Sequence, residues 1–125
     1  MDKHVPTSGR LNHAIANAVV RRHSRTVGRG PTKAQAFCRH NIIVVVIRDA
    51  LTRAERSLVA AGRQESARLF RDALQQTIRD DLVSEVEGLT GRKVVAFMSA
   101  SHFDPDVSAQ VFVLDEPVAG EPPSP

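Results

Sequence analysis

Residues Ile42 to Ile47 read IIVVVI, six β-branched apolar residues in a row with no polar interruption. A strand that is wet on one side alternates apolar and polar residues, so an unbroken run predicts a strand covered on both faces. A helix can also hold such a run, but this one is short, with His40-Asn41 before it and Arg48-Asp49 after it. A buried central strand is therefore the expectation. The rest of the chain then reads as its cover: helices to lie on it, strands to pair with it, and polar joints between them.

At 125 residues the chain is one domain, and a domain of this size buries roughly two-thirds of the surface its unfolded chain exposes. It needs no covalent staples. The single cysteine, Cys38, excludes an intrachain disulfide and cannot alone make a structural zinc site, which suits a reducing compartment. It reads as a small buried hydrophobe on a strand. The opening residues MDKHVPTSGR lack the apolar core of a signal peptide, and no run approaches the roughly 20 apolar residues that span a bilayer. A cytoplasmic, soluble protein is expected, with no cofactor.

The net charge is +3, unevenly distributed. Residues 1–63 carry twelve Lys or Arg against Asp2, Asp49 and Glu55, whereas residues 64–125 carry five against eleven acids. Three explanations compete: a basic surface for an anionic partner, complementary faces within an oligomer, or charges that the fold interleaves.

Met1 to Ser8 have no pattern and include Pro6, so residues 1–8 are expected to form a mobile arm. From Gly9, the apolar positions Leu11, Ile15, Ala18 and Val19 recur at helical spacing, predicting a helix over about 11–26. Arg21, Arg22 and Arg25 gather towards its end, where cations suit the helix dipole. Gly28-Arg29-Gly30-Pro31 then stops it, as glycine followed by proline stops helices.

The loop GRGPTK, Gly28 to Lys33, has two glycines, two cations and a hydroxyl. Gly28, Arg29, Gly30, Thr32 and Lys33 could together present backbone N–H groups and positive charge to a phosphate or carboxylate. The loop is not a P-loop, because the GxxxxGK[ST] spacing is absent and it leads from helix to strand. The plainer reading is a helix cap and a turn into the sheet.

Residues 34–38 read as a short strand, joined through Arg39-His40-Asn41 to IIVVVI as a hairpin. Thr52 with Glu55 three residues later is a capping box, so a helix begins at about Arg53. Gly62 marks a bend before a longer helix, about 64–88. Along that helix Ala67, Phe70, Leu74, Ile78, Leu82, Val86 and Leu89 form the expected buried stripe. Arg68, Arg71, Asp72, Arg79, Asp80 and Glu87 lie on the expected wet side. Thr90-Gly91-Arg92 ends the helix, and two alternating strands follow over 93–101 and 108–114.

Both faces of those strands carry apolar residues. A sheet with helices on one side then needs a second cover, either the first helix or another copy of the sheet, which motivates a homodimer. His102-Phe103-Asp104-Pro105-Asp106 joins the two strands, and Asp-Pro is ordinary turn chemistry. His102, Asp104 and Asp106 could also ligate a divalent metal, though three ligands from one turn would bind weakly. Beyond Asp115 the proline-rich, acidic residues 116–125 have no means of burying a core and are expected to be a disordered tail.

Taken together, GRGPTKA at Gly28–Ala34, LTRAER at Leu51–Arg56, LTGRKVVAFMS at Leu89–Ser99, HFDPD at His102–Asp106 and VFVL at Val111–Leu114 resemble the MpsC family. The resemblance covers about 9–114, and the motifs stand in the family's order. The family is named after the third component of a sodium-translocating, membrane-potential-generating system. The resemblance therefore implies a soluble accessory module that docks on integral membrane subunits of a cation- or bicarbonate-translocating assembly, or on another protein. It brings no catalytic or ligand residues to carry over.

The expected fold is α+β, order αββααββ, an antiparallel sheet of two β-hairpins backed by helices, with one domain over 9–115. The leading function is non-catalytic binding. The alternative is a nucleic-acid or anionic-ligand binder using Arg21, Arg22, Arg25, Arg29 and Lys33. The lack of Trp and Tyr and the modest net charge argue against it, since bases find few stacking platforms. An enzyme would need His102 with Asp104 or Asp106 assembled with distant groups, and no motif indicates such an assembly.

Overall fold

The computed structural model describes residues 4–28 and 33–120. Its elements are α1 (His4–Val27), β1 (Lys33–Arg39), β2 (Ile42–Arg48), α2 (Arg53–Ala60), α3 (Gln64–Thr90), β3 (Val94–His102) and β4 (Val107–Leu114). This is the αββααββ order of an α+β domain. The four strands form one antiparallel sheet in the order β1-β2-β4-β3, so the two hairpins meet through β2 and β4.

Local chemistry sets the ends of these elements. Backbone helicity reaches back to His4, which corrects the expectation of a mobile arm for residues 4–8. Pro6 falls in the first turn, where the N–H that proline lacks has no intrahelical partner. The β1–β2 hairpin turns at His40-Asn41, with His40 in the left-handed region at φ 57°. Asn41 ties this turn to the next strand: its Nδ2 donates to the Leu114 carbonyl at 3.0 Å, and its own carbonyl accepts from the Leu114 amide at 2.8 Å. Gly62, at φ 76°, separates α2 from α3, and Gly91, at φ 68°, closes α3 by donating to the Glu87 carbonyl.

The core lies on one face of the sheet. Ala36, Ile43, Val45, Ile47, Phe112 and Leu114 pack there against Ile15, Ala16 and Val19 of α1 and Ile78, Leu82 and Val86 of α3. Each Val, Ile, Leu or Phe among them contributes about 1.5–3 kcal/mol of transfer free energy. A smaller cluster of Leu51, Ala67 and Phe103, flanked by Leu58 and Val59, seats α2 against α3 and the β3–β4 turn.

Two expectations are corrected here. The central strand β2 is not covered on both faces: Ile43, Val45 and Ile47 are fully buried, Val44 and Val46 are partly exposed, and Ile42 is exposed. The buried stripe of α3 is the expected one at Ala67, Ile78, Leu82 and Val86 and departs from it elsewhere. It runs Ala67, Arg71, Gln75, Ile78, Leu82, Val86, while Phe70 and Leu89 face outwards at 42% and 40% exposure. Arg71 and Gln75 take core positions because each meets a polar partner from another element, as described below.

The segment after β4 also departs from expectation. Pro117 accepts from Arg92 Nε at 2.8 Å, the Val118 amide donates to the His40 carbonyl at 3.3 Å, and the Val118 side chain joins the core. Pro117 and Val118 are thus held against the domain rather than forming part of a disordered tail.

Candidate functional site

The charged groups drawn inside the protein are built into its frame. Thr52 Oγ1 accepts from the Glu55 amide at 3.2 Å, and Glu55 Oε1 accepts from the Thr52 amide at 2.8 Å, which completes the capping box of α2. The same carboxylate receives Arg71 of α3 in a fork: Nε to Oε2 at 2.8 Å and Nη2 to Oε1 at 2.6 Å. Arg71 Nη2 also donates to the Ala50 carbonyl at 3.1 Å. One buried ion pair therefore fixes the start of α2, the flank of α3 and the chain leaving β2.

Asp106 braces the same region from the β3–β4 turn. Its Oδ1 accepts from the Ala50 amide at 3.2 Å, its Oδ2 accepts from the Leu51 amide at 3.0 Å, and Arg56 lies 3.5 Å away. His102 Nδ1 sits 2.8 Å from the Pro105 carbonyl, a contact within the turn. Both oxygens of Asp106 are engaged by backbone amides, and among the described residues no group of three or more His, Cys, Asp or Glu can hold a metal ion. The metal reading of His102, Asp104 and Asp106 gives way to a turn-bracing one.

Of the anion-loop residues, Arg29, Gly30 and Thr32 lie outside the described residues. Gly28 takes φ 76° and its amide donates to the Ser24 carbonyl at 2.9 Å, as a helix cap does, while Lys33 opens β1. The basic cluster of α1 is divided. Arg22 reaches Glu85 at 3.3 Å and Asp81 at 3.6 Å on α3, leaving Arg21 and Arg25 exposed beside it.

A second buried polar chain crosses the core from α1 to β4. His23 Nδ1 lies 3.1 Å from the Val19 carbonyl, which makes Nδ1 the protonated nitrogen and leaves Nε2 to accept from Gln75 Nε2 at 3.5 Å. Gln110 Nε2 donates to Gln75 Oε1 at 3.1 Å. Burial holds the His23 pKa below the usual imidazole value; the bond to Val19 opposes this, Arg71 adds to it, and Glu55 opposes it. A cleft of about 280 Å³ opens nearby, lined by Asp72, Gln75, Gln76, Arg79, Phe97 and Ser99.

The largest unassigned feature is the face of the sheet opposite the helices. Strand alternation and register place four rows on it. Lys33, Arg48, Val107 and His102 form one end row, followed by Gln35, Val46, Ala109 and Ala100. Next come Phe37, Val44, Val111 and Met98, and then Arg39, Ile42, Val113 and Ala96. The core residues of α1 and α3 pack against the other side of the sheet. Phe37 and Met98 are 52% and 54% exposed, and no Asp or Glu lies within the rows. An exposed apolar surface of this extent marks an interaction site far more often than a solvent face.

A protein-family model described as the Na+-translocating membrane potential-generating system (MpsC) matches residues 7–116. The chain belongs to the MpsC family. No curated protein and no solved structure matched it.

Within this MpsC domain, the motifs recognisable in the sequence have identifiable structural duties. LTRAER and HFDPD meet through Asp106, Leu51 and Arg56, and LTRAER supplies the carboxylate that Arg71 grips. In LTGRKVVAFMS, Gly91 caps α3, Arg92 holds Pro117, and the Val94 amide donates to Glu87 Oε2 at 2.9 Å. VFVL divides between faces, with Phe112 and Leu114 in the core and Val111 and Val113 on the open side. Arg71 escaped sequence reasoning. Its one local signal was the four-residue step from Ala67 through Arg71 to Gln75 into the apolar stripe. Among the described residues no helix is long and apolar enough to cross a membrane.

Proposed function

We propose that this chain is a non-catalytic accessory module of a cation-translocating membrane assembly, and that it works by binding protein through the open face of its sheet. The observation that carries this reading is that face: four strands wide, apolar at its centre, with its largest side chains half exposed. Family membership supplies the membrane context. The engagement of the buried charged groups also supports the reading. Glu55 and Arg71 grip each other and Asp106 grips amides, whereas an acid–base catalyst needs a group within reach of a substrate. The protein would sit in the cytoplasm, at the membrane only through its protein partner.

The test is affinity capture of the tagged protein from gently solubilised membranes of its host, beside the variant Phe37→Glu/Met98→Glu. Both positions are more than half exposed, so the variant should keep its fold and melting temperature. Polytopic transporter subunits held by the natural chain and lost by the variant are the expected result. Recovery of the same subunits by both would remove the open face from the reading, and recovery of soluble proteins alone would remove the membrane assembly.

A further inference from the structure

We infer that the open sheet face is occupied by a second copy of this chain, stacked about a two-fold axis running parallel to the strands between β2 and β4. This rests on the reading of that face as an interaction surface and names its occupant; the membrane subunits are then held by the dimer as a unit, so that charging the face releases them by separating the two copies. The register decides the arrangement. Phe37, Val44, Val111 and Met98 form one row across all four strands, and its two largest exposed side chains stand on opposite edge strands. A two-fold axis along the strands lays β1 of one copy over β3 of the other and keeps each row in place. Phe37 then meets Met98 of the second copy twice, a sulfur–aromatic contact, while Val44 meets Val111 at the centre.

Charge separates this stacking from the other aligned one. With the axis along the strands, Arg48 lies over Val107 of the second copy, Arg39 over Ala96 and Lys33 over His102, so no Lys or Arg stands directly opposite another. An axis across the strands would exchange the end rows. It would press Lys33 directly against Arg39 at both ends of the face, bringing like charges together. The size also suffices. Four strands at ~4.8 Å spacing and eight positions at ~3.3 Å give ~500 Å² per face in projection, so two faces reach the ~1,000 Å² that a specific interface needs.

The experiment uses the full chain. Light scattering at micromolar concentration should give twice the monomer mass for the natural protein and the monomer mass for Phe37→Glu/Met98→Glu. In a Cys38→Ser background, Phe37→Cys/Met98→Cys should be joined between chains by a bis-maleimide of ~10 Å span, matching the separation of packed sheets. Within one chain the two positions are three strands apart, ~14 Å, too far for that reagent. Each single-cysteine variant should remain unlinked, because neither position meets itself.

A dimer that survives Phe37→Glu/Met98→Glu, or single-cysteine variants that cross-link to themselves, overturns the stacking. A monomeric natural protein overturns the second copy. If that monomer still loses its membrane partners on Phe37→Glu/Met98→Glu, the interaction face stands with a different occupant. If it keeps them, both readings fall.

Discussion

Arg71 and Glu55, sixteen positions apart on different helices, form a two-bond ion pair with both side chains buried, Nε to Oε2 at 2.8 Å and Nη2 to Oε1 at 2.6 Å. Taking two charges out of water is costly, and their attraction repays that cost only while both are present. Arg71→Met should therefore cost about 3–5 kcal/mol, because Glu55 is left buried and unpaired. Adding Glu55→Gln should recover a large part of it: the buried charge goes, and an amide oxygen remains for the Thr52 cap. Urea unfolding of the two variants checks this. A single variant within about 1 kcal/mol of the natural protein would show that Glu55 finds another partner.

Asp106 makes a different kind of tie. Its two oxygens accept from consecutive amides, Ala50 and Leu51, across the join between β2 and α2. Asp106→Ala leaves both N–H groups without an acceptor and should cost about 2–3 kcal/mol. Asp106→Asn keeps one acceptor oxygen and should fall between. Since those oxygens are already engaged, added Mg2+ or Mn2+ should move the melting temperature of the natural protein no more than that of Asp106→Ala. A larger rise in the natural protein would restore a metal at this turn.

His23 gives the fold a pH dependence whose sign follows from its surroundings. Burial lowers its pKa chiefly by removing water; Arg71 acts in the same direction, while the bond to Val19 and the charge of Glu55 resist. Above the ordinary imidazole value of about 6.5 the ring is neutral in both folded and unfolded chains and contributes no slope. Below it, the unfolded chain takes up a proton that the folded one refuses, so stability falls as pH falls. His23→Gln should flatten stability between about pH 7 and pH 5.5, measured by denaturant midpoints. An unchanged slope would assign the effect elsewhere.

How much of this was legible in the sequence depended on how locally each feature is determined. The Thr52–Glu55 capping box, the glycines that stop α1 and α3, and the alternation of β3 and β4 act within a few residues, and the structure places each where the pattern did. Arg71 and Gln75 could not be read that way. Their burial depends on Glu55, on His23, fifty-two positions from Gln75, and on Gln110, thirty-five positions away. Hydropathy assigned their positions to Phe70 and Leu74. The IIVVVI run gave the central strand correctly but not its surroundings. Ile43 and Val45 face the core residues of α1 and α3, whereas Val44 and Val46 lie on the other side of the sheet and stay partly exposed, a difference that an unbroken apolar run cannot display.

Val118 tests how far the domain extends. It lies four residues beyond β4, is 6% exposed and joins the core, with its amide on the His40 carbonyl and the neighbouring Pro117 held by Arg92. Removing two buried methyl groups with Val118→Ala should cost about 2 kcal/mol, counting ~0.8 kcal/mol for each group and a further amount for the space left. Truncation after Asp115 should cost more, since it also removes the Pro117 and Val118 hydrogen bonds and uncovers the β1–β2 turn. Removal of residues 121–125 alone should leave the denaturant midpoint unchanged. If truncation after Asp115 were equally silent, the domain would end at β4, and the burial of Val118 would contribute nothing to its stability.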